Sequence, residues 1–139
     1  MSMPSPDNSQ SALVTSTFVT SAFVTLASVN LETLIKFYED FLAIAPHPST
    51  SNYAEFQLPG LCIAIFKPKN EDLEEFAANS RGAMSICLEV TDLEETIARL
   101  EAIGYAPADT IMQASHGREI YAYDPDGNRL ILHQGHLSR

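Results

Sequence analysis

The sequence predicts an α+β domain built from two tandem copies of one unit: a strand, a helix and at least two further strands. Residues 22–38 and 84–100 align without a gap, as AFVTLASVNLETLIKFY over MSICLEVTDLEETIARL, and their apolar residues fall at the same places. Downstream, YAEFQLPGLCIAIF at 53–66 and YAYDPDGNRLILHQ at 121–134 both have the pattern of two apolar strands joined by a turn. This repetition indicates an internal duplication.

The first copy begins with a strand predicted over residues 18–29. Asn30 is a suitable N-cap for a helix over residues 31–42, in which leucine, isoleucine, tyrosine and phenylalanine recur at helical spacing. A loop with two prolines separates this helix from the hairpin at 53–66. The apolar stripe of the helix is therefore expected to pack on the sheet.

The second copy follows a short amphipathic helix, which is predicted over residues 71–78. A strand over residues 84–90 leads to Asp92, which forms a capping box with Glu95 at the start of the second helix. Gly104 ends that helix. The second copy thus repeats the strand and helix of the first.

The last three strands close the second copy, and they are predicted over residues 108–113, 119–123 and 128–134. The turn before the final strand is Asp124-Pro125-Asp126-Gly127, where proline presets φ and glycine accepts a positive φ. Period-two alternation gives that strand an apolar core face of leucines and a second face available for a site.

At 139 residues the chain has the length of one domain with a sizeable core. The expected organisation is a disordered tail at 1–16, a single domain at 17–135 with module one at 17–68, a linker helix at 69–82 and module two at 83–135, and a second tail at 136–139.

Composition excludes some classes of function. The net charge is −10, from 8 basic and 18 acidic residues, and it would repel nucleic acids, so no nucleic-acid partner is expected. No apolar run approaches the roughly 18 residues of a membrane span, so no membrane partner is expected either. Cys62 and Cys87 lie in apolar strands and are expected to be reduced, buried thiols, and no signal-peptide pattern is found. A cytoplasmic location is therefore expected.

The helix motif NLETLIKFYEDFLAI and the closing motif DPDGNRLILHQ resemble those of the vicinal oxygen chelate superfamily, which includes glyoxalase I, the bleomycin resistance proteins and the extradiol dioxygenases. The resemblance covers residues 18–134. It implies two tandem βαβββ modules whose curved mixed sheets surround a cavity, and it implies a homodimer. The family usually has glycine at the position of Ala43, where a left-handed alanine costs on the order of 1 kcal/mol.

In metal-dependent members of that superfamily, four side chains from the first and last strands of the modules hold a divalent ion. The resemblance places four residues of this chain at those positions: Phe23, Ala64, Ser85 and Ile131. None is a usual ligand, so no metal and no cofactor are expected there. A displaced metal site at Glu89 and His133 is the alternative; otherwise these two side chains are solvated or hydrogen-bond to each other.

Alternation along the strands predicts which side chains face the cavity and bind a ligand. They are Phe23, Thr25, Cys62, Phe66, Ser85, Cys87, Glu89, Arg118 from a loop, Tyr121, Tyr123, Arg129, Ile131 and His133, beside Ala64. This apolar and partly aromatic set suits a small-molecule pocket, or it fills the space between the sheets. Catalytic residues are not assigned, and Ser115 and His116 are not expected to form a catalytic pair, because neighbouring side chains point apart.

The expected function is binding or sequestration of a small molecule by a glyoxalase- or bleomycin-resistance-like protein without the usual metal ligands. One alternative is a metal-dependent lyase, isomerase or dioxygenase with a displaced metal site. A non-catalytic scaffold or partner-binding module is the other. Whether the protein is an enzyme is left open.

Overall fold

The first sheet and its helix come from the first half of the chain. In the computed structural model, which describes residues 18–77 and 82–135, β1 is Val24–Ala27, α1 is Leu31–Leu42, β2 is Tyr53–Leu58 and β3 is Leu61–Phe66. The strand order is β1-β3-β2, with β1 parallel and β2 antiparallel to β3.

The second sheet repeats this arrangement with one more strand. Its elements are β4 at Ile86–Glu89, α2 at Leu93–Ala102, β5 at Met112–Ala114, β6 at Gly117–Tyr123 and β7 at Arg129–Gly135. The strand order is β4-β7-β6-β5, with β4 parallel to β7 and the other pairs antiparallel. The two mixed sheets with their helices confirm the predicted α+β fold.

The first half differs from the predicted four-strand module in one detail. Where the second half has β5, the first half has an isolated bridge between Ser49 and Ala54. The predicted first strand is also shorter than expected, because only Val24–Ala27 pairs with β3. Likewise, the strand predicted over 108–113 begins at Met112.

The link between the halves is also different from the prediction. A 3-10 helix at Asn70–Asp72 and a run of turns to Phe76 replace the helix predicted over residues 71–78. All of these residues are exposed, so the segment lacks the packing that sustains so short a helix. The predicted tails at 1–16 and 136–139, and the end of the predicted linker helix, lie outside the described residues.

One apolar core joins the two halves. Its fully buried side chains come from both helices and both sheets: Leu34, Tyr38, Phe56, Ile63, Ile65, Leu93, Leu100, Leu130 and Leu132. The Phe37 ring from α1 also meets the Tyr105 ring edge-on at 5.1 Å. Burying one face of each sheet under a helix leaves the other face for a site.

A buried hydrogen bond joins α1 in the first half to the turn that follows β6 in the second. The buried Tyr38 hydroxyl donates to Asp124 Oδ2 at 2.6 Å. Asp124 Oδ1 accepts the backbone amides of Asp126 and Asn128, each at 2.9 Å, as expected for the predicted turn. Burial, and then the Asp124 charge, raise the pKa of Tyr38 far above its usual value, so the hydroxyl stays a donor.

The helix ends confirm one predicted cap and correct another. Asp92 accepts a bond from the Glu95 amide at 3.0 Å, as the capping box predicts. The Asn30 side chain does not cap α1; instead, the Asn30 amide donates to Ser28 Oγ at 3.0 Å. Ala43 does take the left-handed conformation at the end of α1, with φ 58°.

Candidate functional site

The pleat of the first sheet sorts its side chains onto two faces. One face packs beneath α1, and the other, here called the sheet-one face, carries side chains that are exposed or half-buried around the small Ala64. Registers place them together: Thr25 beside Ala64, Glu55 opposite Ala64, Tyr53 opposite Phe66, and Gln57 opposite Cys62. This surface holds three of the predicted ligand-binding residues, Thr25, Cys62 and Phe66.

The second sheet has an equivalent surface, here called the sheet-two face. It carries seven of the predicted ligand-binding residues together with Glu119, and the members are Cys87, Glu89, Glu119, Tyr121, Tyr123, Arg129, Ile131 and His133. Across the strands, Glu119 lies opposite His133 and Tyr121 opposite Ile131. The two cysteines were expected to be buried, but Cys62 is half-buried and Cys87 is exposed. Partial desolvation, and then the charges of Glu119 and Glu89, raise the pKa of the Cys87 thiol, which stays protonated near neutral pH.

Two predicted residues lie at the strand starts, outside the regular pairing. Phe23 precedes β1 and exposes 52 % of its surface. Ser85 precedes β4, and its hydroxyl accepts a bond at 3.1 Å from Arg129 Nη1. The same nitrogen donates to the carbonyl of Gly82 at 3.0 Å, so the Arg129 guanidinium is held at the strand end.

Arg118 was placed on the wrong side by the sequence prediction. It lies within β6, one residue before Glu119, so its side chain is on the helix side of the sheet. There it forms two bonds to the Glu94 carboxylate, at 2.6 and 2.9 Å, and one to Gln134 Oε1 at 3.0 Å. Its hydrogen bonds lower the pKa of Glu94 to about 2. This arginine therefore ties α2 to the sheet.

The sequence prediction missed a polar group on the sheet-one face. Glu55 Oε2 accepts the Tyr53 hydroxyl at 2.6 Å, and Glu55 Oε1 accepts Gln57 Nε2 at 3.0 Å and Cys62 Sγ at 3.8 Å. Side-chain alternation in YAEFQL could have predicted this group, because Tyr53, Glu55 and Gln57 are two residues apart and so lie on one face of the strand.

On the sheet-two face, His133 and Glu89 form the hydrogen bond that the sequence had left as one interpretation. His133 Nδ1 lies 2.7 Å from Glu89 Oε1, and the Gly135 amide donates to Glu89 Oε2 at 2.8 Å. His133 is 94 % buried, and its Nε2 makes no hydrogen bond within residues 18–77 and 82–135. Gly117 covers that nitrogen so closely that a Cβ there would lie 2.7 Å from Nε2.

The turn between β5 and β6 brings together two neighbouring side chains that were expected to diverge, and leaves the catalytic question open. Ser115 Oγ and His116 Nδ1 are 3.0 Å apart and hydrogen-bond, although neighbouring side chains were expected to diverge. That expectation holds in extended strands, whereas both residues lie in a turn. The His116 ring also packs on the His133 ring at 5.1 Å.

The four residues that the resemblance places at the superfamily's metal positions supply few donor atoms. Phe23, Ala64 and Ile131 have no donor atom, and the Ser85 hydroxyl is bonded to Arg129. Among the described residues, no three histidine, cysteine, aspartate or glutamate side chains gather in a way that could hold an ion.

A cleft of about 500 Å³ opens beside the sheet-two face. It runs along β4 between the β2–β3 turn, the end of α1 and the side of α2, and its polar lining includes Cys87, Glu89, Thr96 and Arg99. Neither helix in the described parts of the chain is long and apolar enough to cross a bilayer.

These features define a small α+β protein of two repeated halves, each with a sheet that has one covered and one accessible face. The sequence model of the Glyoxalase/Bleomycin resistance protein/Dioxygenase superfamily matches residues 20–132. The chain belongs to this superfamily. Comparison with curated proteins finds no match.

Solved structures share the fold. A glyoxalase-related enzyme from Fulvimarina pelagi is 23 % identical, with a TM-score of 0.68 over 84 % of this chain and 89 % of that one. The bleomycin resistance determinant encoded on transposon Tn5 is 21 % identical, with a TM-score of 0.62 over 86 % of this chain and 100 % of that one. The fosfomycin resistance protein FosX from Listeria monocytogenes is 23 % identical, with a TM-score of 0.67 over 86 % and 96 %.

Proposed function

We propose that this protein binds a small organic molecule on its two sheet faces and sequesters it, without a metal ion at the superfamily's usual positions. The observation that carries the proposal is the replacement of all four usual ligand positions by Phe23, Ala64, Ser85 and Ile131. A Lewis acid needs donor atoms to hold it, and these side chains supply only a hydroxyl that is already bonded to Arg129.

The composition of the faces supports binding. Aromatic rings of Phe66, Tyr121 and Tyr123 stand among small and polar side chains, as in sites that bury the apolar part of a ligand and orient it with a few polar groups. One protein with the same fold is a bleomycin resistance determinant. A sequestering protein needs affinity alone, which such faces can provide.

A homodimer is part of the proposal. Apolar side chains at the strand starts and on the outer strand are exposed in a single chain, among them Phe23 at 52 %, Met84 at 79 % and Met112 at 38 %. A second copy laid over the sheet faces would cover such side chains and enclose a ligand between two sheets. Light scattering at micromolar concentration tests this, and a monomer would contradict it.

The test of binding is a thermal-shift screen against aromatic amines, phenols and thiol adducts. Thr25→Trp and Ile131→Trp put bulk on the two faces, and Thr110→Trp adds the same bulk to an exposed loop as a matched control. A ligand should stabilise the wild type and the control and lose its effect in the two face variants. Stabilisation by no compound class would leave the scaffold function in its place.

One observation favours a metal-dependent enzyme as the second candidate. In many metal sites a histidine bonds a carboxylate through one nitrogen and the ion through the other. The pair of His133 and Glu89 has that form, with no hydrogen bond to Nε2 from the described part of the chain. The close approach of Gly117 to Nε2 argues against a metal ion bound to that nitrogen. Nickel, zinc or manganese that stabilises the wild type but not His133→Gln would support the enzyme.

A further inference from the structure

We infer that Glu55 on the sheet-one face is the anchor for a positively charged nitrogen, an ammonium, amidinium or guanidinium group, on an organic ligand. The inference rests on the proposed function and adds the ligand's chemical class. It starts from the centre of β2, where Glu55 lies opposite Ala64 and is half-buried.

The carboxylate is held in a fixed orientation before any ligand arrives. Both of its oxygens accept bonds, Oε2 from Tyr53 at 2.6 Å and Oε1 from Gln57 at 3.0 Å and Cys62 at 3.8 Å. Oε2 accepts one bond and keeps a lone pair for a further donor. Because the carboxylate is already ordered, ligand binding carries a smaller entropic cost.

The charge of Glu55 is not neutralised by its partners. The hydrogen bond to Glu55 raises the pKa of Tyr53 to about 12, and burial followed by the Glu55 charge raises the pKa of Cys62, so both donors are neutral near pH 7. Within the described chain, the ion pairs at 4 Å or less engage other carboxylates. One negative charge therefore stands on this face.

The surroundings suit an organic cation. The Tyr53 ring is on the same strand and face, and Phe66 lies opposite Tyr53, where its ring is braced edge-on by Phe76 at 5.1 Å. Aromatic faces attract cations. Ala64 and Thr25, the next residues across the sheet from Glu55, are small and leave room beside the carboxylate.

A bare divalent ion fits this group less well. Such ions take several oxygen or nitrogen ligands, and here one carboxylate stands with a phenol, an amide and a protonated thiol. An organic cation needs one carboxylate and neighbouring rings. Charge complementarity therefore selects an organic cation as the occupant.

The experiment compares matched compounds by calorimetry on the full chain. Benzamidine and benzamide differ in charge but hardly in shape, and so do phenethylamine and 2-phenylethanol. We expect the cation of each pair to bind roughly tenfold more tightly at low salt and to lose that advantage in 1 M salt. Glu55→Gln should bring each cation to the affinity of its neutral partner.

Glu39→Gln is the control, because it removes the same charge from an exposed position on α1. Gln57→Lys is an independent variant at an exposed residue that supplies an internal cation to Glu55 and should also abolish the preference. Circular dichroism verifies that each variant is folded.

Equal binding of the charged and neutral compounds by the wild type would overturn the inference and leave the proposed function standing. An equal loss in Glu55→Gln and Glu39→Gln would also overturn it, because the preference would then come from the overall charge. Absence of binding by every compound, here and in the broader screen, would instead reject the proposed function itself.

Discussion

Removing the Tyr38 hydroxyl should lower the free energy of unfolding, because it removes a buried hydrogen bond between the two halves of the chain. In Tyr38→Phe the ring stays in the core, so the apolar packing is kept and only the 2.6 Å bond to Asp124 is lost. Asp124 is 96 % buried and keeps its three bonds within the turn. The variant therefore isolates one buried hydrogen bond to a carboxylate.

The magnitude follows from the burial of both partners. A hydrogen bond to a charged group contributes about 1.5–3 kcal/mol, and here no water can replace the lost donor while the fold is intact. With a urea dependence of about 2 kcal/mol per molar for a domain of this size, the midpoint should fall by roughly 0.8–1.5 M.

Urea unfolding followed by far-ultraviolet circular dichroism measures this change. Tyr105→Phe is the control, because the Tyr105 ring also packs on α1 but its hydroxyl has no hydrogen bond within the described residues. A loss below about 0.5 kcal/mol in Tyr38→Phe, or an equal loss in the control, would refute the reasoning.

Three further changes can be tested by the same unfolding assay. Gly117→Ala should destabilise by about 1–3 kcal/mol, because its Cβ would lie 2.4 Å from a backbone oxygen, whereas Gly82→Ala, with open space, should change little. Folding lowers the Glu94 pKa from 4.5 to about 2, so the stability that the ionised carboxylate contributes is present above pH 4.5 and is lost as the pH falls through 2. Glu94→Gln should therefore be less stable than the wild type at pH 6, and this difference in stability should vanish near pH 2. Ala43→Gly should stabilise by about 0.5–1 kcal/mol, since φ is 58°, and the control Ala45→Gly should not; a loss at Ala43 would contradict the assigned strain.

The predictions from sequence succeeded where the determinant is local. The Asp92 capping box depends on residues three apart, and the turn at Asp124 depends on the bonds of one side chain to nearby amides. Both features could therefore be predicted from a short stretch of sequence. The duplication was readable because each half must repeat the same apolar spacing to cover its sheet.

Predictions failed where pairing or loop geometry decides. The residues before Val24 are strand-like, yet the pairing of β1 with β3 begins at Val24 and Ile63, although β3 itself begins at Leu61. Arg118 was assigned to a loop because β6 was predicted to begin at Glu119, whereas it begins at Gly117. The alternation of side chains along the strand was therefore not used to decide which face Arg118 lies on. Glu55 was missed because the prediction assigned the two faces of β3 but not those of β2. Its ligand role stays a prediction.

The bonds between the halves have a consequence for the ancestry of the chain. Arg99 on α2 donates to the carbonyls of Asp40 and Phe41 at 3.2 and 3.3 Å, at the end of α1. In the internal alignment, Arg99 corresponds to Phe37 and Leu100 to Tyr38. Phe37 has no hydrogen-bond donor to match the Arg99 guanidinium, and Leu100 has no hydroxyl to match that of Tyr38, so each bond between the halves is made by one copy only. The two copies have therefore diverged at the residues that join them, and the internal repeat does not extend to the bonds that hold the halves together.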